Sequence, residues 1–269
     1  MNKGILYIVA TPIGNMSDFS QRGVDTLKMV DVVACEDTRV TQKLFSHYGI
    51  SVKTISYHKF SEKQRLGKIL EFLNEGKNVA LVSDAGTPLI SDPGNVLVSE
   101  VVKNDIKIVP IPGACAMVSA LCAVPSAGQF AFLGFFPQKL SEVKNIEKYI
   151  YDFDLVFYES PKRIIKTLEI LRENFGEITV SVARELTKIY EDIKTRNVSD
   201  MIEYLQNNIV KGEITLVVHC AEKSKLDVDF IPQAKKLIAG GFSPKDTSKI
   251  ISIVWGLSKN EVYKKILEI

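Results

Sequence analysis

The stretch LVSDAGTPLISDPG, at residues 81–94, combines residue types that could hold a small molecule. An apolar run stops there and is followed by small residues, two acidic residues and two prolines. Glycine adopts backbone conformations that other residues avoid, so the chain can approach a ligand closely. We therefore expect this loop to bind a small molecule, largely through its backbone groups.

Four further loops of small, polar or Gly/Pro-rich composition follow short apolar runs. They are TPIGNMSD (11–18), CEDTR (35–39), SYHKF (56–60) and PIPGACA (110–116). In open α/β sheets, ligands bind beyond the carboxyl ends of the strands. Because all five loops follow predicted strands, we expect them to form one rim around a ligand.

This predicted rim lacks the patterns that bind phosphate chains. The loop after the first run has only Gly14 where a dinucleotide site would have GxGxxG, and the P-loop pattern GxxxxGK[ST] is absent. The glycine-rich signature of the common Rossmann-type methyltransferases is absent as well. The loops offer backbone groups, hydroxyls and few charges, which favours a nucleoside-like ligand without a phosphate chain.

The elements that must position these loops alternate between strands and helices. Runs that are apolar on both faces predict the strands of a covered parallel sheet at 5–11, 30–36, 52–57, 78–83 and 106–112. Further strands are predicted at 129–135, 154–160, 178–186 and 213–220, with helices between them. The pattern predicts an α/β fold with an N-terminal domain at 1–118, mostly parallel, and a mixed-sheet domain at 119–222.

The sequence of residues 223–269 predicts a basic tail of three short helices. The tail carries nine lysines against five acidic residues, while the whole chain has a net charge of +2. Ser243 before Pro244 is typical of a helix start. Two apolar stripes are predicted to be buried: Ile250, Ile251 and Val254, and Val262, Ile266 and Leu267. The charge is compatible with a polyanionic partner, although a solvated lysine face is the commoner explanation. The helices predict a small appendage that resembles a helix-turn-helix, and a packing arm for the body or for a dimer partner is an equal alternative.

The composition is that of an ordinary globular protein, with 46% hydrophobic and 25% charged residues among 269. No apolar run reaches 18 residues, so we expect no membrane span, and the first residues reach a glycine and a proline too soon for a signal peptide. No cysteine pair has CxxC spacing, so we expect buried free thiols, no metal site and a cytoplasmic location. The cysteines are Cys35, Cys115, Cys122 and Cys220.

Taken in order, the motifs resemble those of the tetrapyrrole methylase superfamily. TPIGNMSD is similar to its first glycine-proline loop, PIPGACA to its interdomain turn, and GTPLIS (86–91) to its Gly-Asp-Pro loop, with Thr87 in place of the usual Asp. Further motifs narrow the resemblance to the ribosomal RNA small subunit methyltransferase I family: CEDTR, FAFLGFF, YESPKRI, VARELTKIYE and GEITLVV. The resemblance spans nearly the whole chain.

This resemblance implies two α/β domains with a cofactor cleft between them, plus a small C-terminal helical appendage. It implies S-adenosylmethionine as cofactor and 2′-O-methylation of a cytidine ribose in the decoding centre of 16S ribosomal RNA. The implied partners are small-subunit RNA or the assembled subunit, and a second copy of the chain in a homodimer.

The resemblance also implies a set of cofactor-binding residues. The loop after the fourth strand is expected to hold the methionine end of the cofactor, with Asp84 substituting for the missing Asp at position 87. Ile13, Ile90, Leu133 and Ala183 are expected either to line the adenosine pocket or to belong to the core. The complete set is Pro12, Ile13, Gly14, Asp84, Gly86, Thr87, Pro88, Ile90, Cys115, Ala116, Leu133, Ala183 and Thr215.

Catalytic candidates follow from the implied chemistry. Methyl transfer is an in-line displacement that depends on alignment, and a ribose hydroxyl benefits from a proton acceptor. The candidate acceptors at strand ends are Asp37, Glu159 and Glu185, and Arg39 and Arg184 are candidates to contact RNA phosphate. The alternative is that Asp37–Arg39 and Arg184–Glu185 are simple ion pairs at the rim.

Two other functions remain open from the sequence. One is a methyltransferase that acts on a tetrapyrrole-like or other small metabolite. The other is an RNA-binding protein without enzymatic activity and with a vestigial pocket. A test for S-adenosylmethionine binding separates the second from the methyltransferases, and mapping of ribose methylation separates the two methyltransferases.

Overall fold

The computed structural model describes residues 3–58, 62–126, 128–208, 210–221, 230–255 and 259–267. The tail residues 223–229 and 256–258 therefore lie outside the described residues. The chain divides into two compact units, Met1–Cys220 and Ala221–Ile269. Among the described helices, none has the length and apolar character needed to cross a membrane.

The first sheet has five parallel strands. They are β1 (Leu6–Val9), β2 (Val32–Cys35), β3 (Lys53–Ser56), β4 (Val79–Val82) and β5 (Ile108–Ile111). Their order across the sheet is β3-β2-β4-β1-β5, and every neighbouring pair is parallel. All five carboxyl ends therefore lie at one edge, which brings the described parts of the predicted rim loops together; residues 59 and 60 of the third loop lie outside the described residues.

Helices cover both faces of this sheet. A 3-10 turn at Met16–Asp18 precedes α1 (Gln21–Met29), α2 (Thr38–Tyr48), α3 (Glu62–Asn74) and α4 (Asn95–Lys103). On one face Leu6 packs in a core with Ile69 and Leu97, and on the other Val9 packs with Leu27 and Phe45. Because successive strand residues point to opposite faces and both faces are covered, the strands are apolar throughout.

The second sheet is mixed, as predicted. After α5 (Ala116–Cys122) come its strands, β6 (Phe130–Phe135), β7 (Asp154–Glu159), β8 (Thr179–Arg184), β9 (Asp192–Asn197) and β10 (Ile214–Val218). Their order is β6-β7-β10-β8-β9, with β6 parallel to β7 and the other pairs antiparallel. The predicted fold class is confirmed. The predicted division at residues 118 and 119 stays a prediction, although each side of it carries its own sheet.

The strand β9 is absent from the sequence prediction. It reads DIKTRN, pairs with β8 at the sheet edge and exposes its last residues to solvent. A polar edge strand has no alternating apolar pattern by which it could be recognised. The remaining helices of this unit are α6 (Leu140–Lys144), α7 (Glu147–Ile150), α8 (Ile164–Phe175) and α9 (Val198–Gln206). The helical region between β6 and β7 is divided into the two short helices α6 and α7.

The tail forms the three predicted helices, α10 (Ile231–Ala239), α11 (Pro244–Trp255) and α12 (Lys259–Leu267). The backbone N–H of Asp246 donates to the Ser243 hydroxyl at 3.1 Å, which confirms the predicted helix start. The apolar stripes are only partly buried, because Val254 is 68% exposed and Leu267 is 61% exposed. Three short helices enclose a core too small to cover both stripes: Phe230, Ala234, Ile251, Val262 and Ile266.

The four cysteines form no disulfide. Cys35 is buried, Cys115 and Cys220 are half-buried and Cys122 is exposed, so the expectation of buried thiols is confirmed for Cys35 and wrong for Cys122. Cys122 is the last residue of α5, where the helix turns toward solvent before the second sheet begins.

Candidate functional site

The loop after β4 is joined to the other rim loops by hydrogen bonds. Thr11 after β1 and Gly86 after β4 exchange two backbone hydrogen bonds, of 2.9 and 3.1 Å. The Asp84 carboxylate accepts the backbone N–H of Asp37 after β2 at 2.9 Å. The Thr87 hydroxyl donates to the carbonyl of Ala114 after β5 at 3.1 Å. The β4 loop therefore holds the loops of three neighbouring strands in one arrangement.

The backbone of this loop is unusual. Leu89 and Ser91 have φ angles of 75° and 69°, although neither is glycine. Gly86 and Gly94 also have positive φ, of 84° and 132°. Left-handed conformations in non-glycine residues are strained and cluster at binding sites, where the surrounding structure maintains them. The stretch that the composition marked in the sequence thus has a strained backbone, with two glycines and two non-glycine residues at positive φ.

A cavity of about 300 Å³ lies at this rim, within the unit Met1–Cys220. From the N-terminal half it is lined by Ile13, Ala85, Gly86, Thr87, Ile90, Ser91, Asp92 and Ala116. From the second sheet and its loops it is lined by Phe135, Tyr158, Glu159, Ser160, Pro161, Ala183, Leu186, Gly212, Glu213, Ile214 and Thr215.

The structure brings some of the predicted site residues to this cavity and leaves others outside its wall. Those in the wall are Ile13, Gly86, Thr87, Ile90, Ala116, Glu159, Ala183 and Thr215. Those outside it are Pro12, Gly14, Asp84, Pro88, Cys115, Leu133, Asp37, Arg39, Arg184 and Glu185. Gly14, one of the second group, makes room for a lysine, because a β-carbon on Gly14 would lie 2.5 Å from Cγ of Lys188.

Three carboxylates line the cavity, and two of them are occupied by protein partners. Glu159 is buried and accepts hydrogen bonds from the Ser160 backbone N–H at 2.7 Å and the Thr167 hydroxyl at 2.6 Å. Arg163 lies 3.3 Å from the same carboxylate. Glu213 is largely exposed and pairs with Lys188 at 2.9 Å.

The third carboxylate, Asp92, has a different environment. Burial raises the pKa of Asp92 to about 6; the Ser83 hydroxyl lowers it, and the neighbouring carboxylates of Glu36 and Asp84 add to the increase. Burial also raises the pKa of Asp84, and of Glu36. Burial, with a smaller contribution from the acidic groups at the ends of β2 and β4, therefore places the pKa of Asp92 at about 6.

Asp37 and Arg39 form an ion pair at the rim, which is the alternative noted from the sequence. Their side chains approach to 2.6 Å, and Arg39 is 87% exposed. The hydrogen bond from Arg39 lowers the pKa of Asp37 to about 2. A carboxylate of so low a pKa is a weak base, whereas the exposed guanidinium stays available for a further contact.

Arg184 and Glu185 do not form the simple ion pair that was the alternative expected from the sequence. Glu185 pairs with Lys188 at 2.7 Å and accepts the backbone N–H of Glu213 at 3.1 Å. These contacts join the loop after β8 to the loop before β10. Arg184 instead lines a shallow surface depression together with the largely exposed Tyr190.

Sequence reasoning missed several residues of the cavity wall. Asp92 stands in the stretch LVSDAGTPLISDPG, and its position four residues beyond Pro88 in the same loop was the available signal. Tyr158 and Phe135 gave no such signal, because an aromatic residue in a predicted strand is indistinguishable from core. Their place at the cavity depends on how the second sheet faces the rim.

Comparison with known proteins gives two kinds of match. A family model described as Tetrapyrrole (Corrin/Porphyrin) Methylases matches residues 5–202. A protein of Haemophilus influenzae named Ribosomal RNA small subunit methyltransferase I is 43% identical over 97% of this chain and 95% of its own length. A protein of the same name from Pasteurella multocida is 42% identical over 98% of this chain and 97% of its own length.

Solved structures with the same fold are more distant in sequence. A cobalt precorrin-4 methyltransferase has a TM-score of 0.59 and 18% identity, covering 80% of this chain and 94% of that one. A diphthine synthase has a TM-score of 0.64 and 13% identity, covering 80% of this chain and 90% of that one. At these identities the likeness shows the fold alone.

Proposed function

Because this chain belongs to the ribosomal RNA small subunit methyltransferase I family, within the tetrapyrrole methylase superfamily, we propose that it methylates the ribose 2′-hydroxyl of a cytidine in the decoding centre of 16S ribosomal RNA. The methyl donor of this superfamily is S-adenosylmethionine, and the activity of the chain is methylation of small-subunit ribosomal RNA. The observation that carries the proposal is identity of 43% over nearly the full length to a relative of that name.

The cavity fits S-adenosylmethionine. Its volume of about 300 Å³ is at the lower end of the usual range for small-molecule sites, about 300–1,000 Å³. Gly86 provides a close approach of backbone, because a β-carbon there would lie 3.3 Å from Cγ2 of Ile13. Ile13, Ala183 and Leu186 offer an apolar surface for the adenine ring, and the Thr215 hydroxyl offers a polar contact.

When bound, S-adenosylmethionine supplies a methyl group that is already activated by a positively charged sulfur. What the chain must contribute is alignment and the exclusion of water. The hydrogen bonds that join Thr11 to Gly86 and Thr87 to Ala114 hold the cofactor loop in one conformation. Glu159 orders the turn that begins at Ser160, which forms the opposite wall of the cavity.

Two exposed side chains are proposed to contact the RNA. Phe135 is 60% exposed and lines the cavity, so its ring is available to stack on an unpaired base. Arg39 is exposed at the end of β2, and its ion pair with Asp37 leaves part of the guanidinium open to a phosphate. We propose naked small-subunit RNA or the assembled subunit as the partner.

We further propose that the chain acts as a homodimer, as its family resemblance implies. Val118 of α5 and Leu133 of β6 are exposed apolar residues that a second copy could cover. Analytical ultracentrifugation of the full chain tests this, and a monomer at micromolar concentration would contradict it.

Mapping of ribose methylation in small-subunit RNA tests the proposed function. RNA from cells that contain the protein should carry one 2′-O-methyl cytidine that is missing from cells without it. A methyl group on a base, or none, would contradict the proposal. Loss of a tetrapyrrole product instead would favour a metabolite substrate, while failure of the protein to bind S-adenosylmethionine would favour a non-enzymatic role.

A further inference from the structure

Asp92 is a cavity carboxylate with no cationic partner among the described residues. The side chains that shift its pKa are a hydroxyl and two carboxylates, Ser83, Glu36 and Asp84. The other two carboxylates of the cavity are each held by a cation, Glu159 by Arg163 and Glu213 by Lys188. Asp92 differs from both, because no cation within the described part of the chain stabilises its charge.

The remaining ionisable group of the cavity wall is Tyr158, which carries its own proton at neutral pH. Burial raises the pKa of Tyr158, and electrostatic interactions with Cys115 and Asp92 add to the effect. A phenol of raised pKa donates a hydrogen bond but does not accept a proton. Of the ionisable groups that line the cavity, Asp92 thus has the fewest competing contacts.

We propose that Asp92 is the catalytic base of methyl transfer, accepting the proton of the ribose hydroxyl; this role rests on the function proposed above. The ribose oxygen forms a bond to the methyl carbon as the bond between that carbon and sulfur breaks. The electron pair of the broken bond remains on sulfur, which becomes neutral. The hydroxyl proton passes to the Asp92 carboxylate and then to solvent, so charge and atoms balance.

The environment of Asp92 suits this role. A general base is most effective when its pKa lies near the working pH, because it must be ionised and still bind a proton readily. Burial brings the pKa of Asp92 to about 6, well above the usual range of an aspartate. Asp37, the candidate from the sequence, has a pKa of about 2 and lies outside the cavity wall.

The sign of the pH dependence follows. Asp92 is active when ionised, so the rate should fall as the pH decreases through about 6 and level off above it. A bound sulfonium favours the carboxylate and lowers its pKa. The acid limb of kcat should therefore lie at lower pH than that of kcat/KM.

Two variants and a matched control test the role. Asp92→Asn keeps the shape of the side chain and removes its basicity, Asp92→Glu keeps the charge, and Asp25→Asn changes an exposed aspartate of α1. We would measure single-turnover methylation of small-subunit RNA, S-adenosylmethionine affinity by calorimetry, and the carboxyl titration of Asp92 by NMR.

The expected results are specific. Asp92→Asn should lose about 10²–10⁴-fold in single-turnover rate and lose the acid limb, while its loss of S-adenosylmethionine affinity stays far smaller than its loss of rate. Asp92→Glu should recover part of the rate, and Asp25→Asn should match the wild type. In the free protein the Asp92 carboxyl should titrate near pH 6.

Three results would overturn the role of Asp92 while leaving the proposed function intact: a wild-type rate in Asp92→Asn, a loss of cofactor affinity as large as its loss of rate, or titration of Asp92 at the ordinary pKa of an aspartate. Failure of the function itself looks different, since the wild type would then place no methyl group on ribose. That outcome would overturn both proposals.

Discussion

Gly86 lies directly beside Ile13: a β-carbon built on Gly86 would lie 3.3 Å from Cγ2 of Ile13, at a φ angle of 84°. Both residues line the cavity, and both belong to loops joined by the Thr11–Gly86 hydrogen bonds. The position therefore combines a backbone conformation that disfavours side chains with a tight space, in which a side chain would press against Ile13.

Gly86→Val should abolish S-adenosylmethionine binding and leave the fold largely intact. A branched side chain at positive φ is strained by about 1–3 kcal/mol, and its methyl groups would enter the cofactor cavity. Gly49→Val is the matched control, because Gly49 has a φ of 61° and open space around its α-carbon. Calorimetry should show binding in the control and none in Gly86→Val; normal binding in both would place the cofactor elsewhere.

Glu159→Gln should reduce stability more than catalysis. The Glu159 side chain is fully buried and is held by Thr167 and Arg163, and weakening a buried charge-assisted network costs about 1–3 kcal/mol. The midpoint temperature of thermal unfolding should decrease, while the single-turnover rate, measured at a temperature where the variant is folded, should change little. A variant of unchanged stability with a rate reduced by two orders of magnitude or more would instead make Glu159 a catalytic residue.

Phe135→Ala should weaken the productive binding of RNA without affecting the cofactor. Stacking of a base on an aromatic ring contributes about 1–3 kcal/mol, so KM for the RNA substrate should rise by at least several-fold. Phe130→Ala is the control, since Phe130 is exposed on the same strand and does not line the cavity. Equal effects of the two substitutions on KM would argue against a stacking role.

Truncation after Glu222 should spare cofactor binding and weaken RNA binding. Every residue of the cavity wall precedes position 222, whereas the tail exposes lysines at its surface: Lys235, Lys236, Lys245, Lys249, Lys259 and Lys264. Removing one interaction between a lysine and an RNA phosphate should lower, by about one unit, the slope of the logarithm of RNA affinity against the logarithm of salt concentration. Electrophoretic mobility shift at several salt concentrations measures this slope.

A second variant separates charge from folding in the tail. The double variant Lys245→Gln, Lys249→Gln removes two exposed charges of α11 and leaves the helices of the tail in place. The double variant should reduce the salt slope and bind S-adenosylmethionine normally. If truncation causes aggregation while the double variant binds RNA like the wild type, the tail is a packing arm and not an RNA-binding surface.

The sequence by itself determined the strands of the first sheet, their parallel character and the loops expected at its rim. Runs apolar on both faces predicted covered parallel strands, and this pattern is local, because it depends only on the types of the successive residues within each strand. Parallel strands bring their carboxyl ends together, so the loops at Thr11, Asp37 and Gly86 were expected at one edge and lie there.

Only the tertiary structure decided which carboxylates are free to do chemistry. Glu159 and Asp92 both stand near predicted strand ends, and nothing in the neighbouring sequence reveals that Arg163 and Thr167 hold the first while Glu36 and Asp84 surround the second. The ionisation of a carboxyl depends on burial and on charges a few ångströms away. Arg163 and Asp84 are near their carboxylates in the chain, but only the folded loops turn these side chains toward them, and Glu36 comes from the end of a different strand.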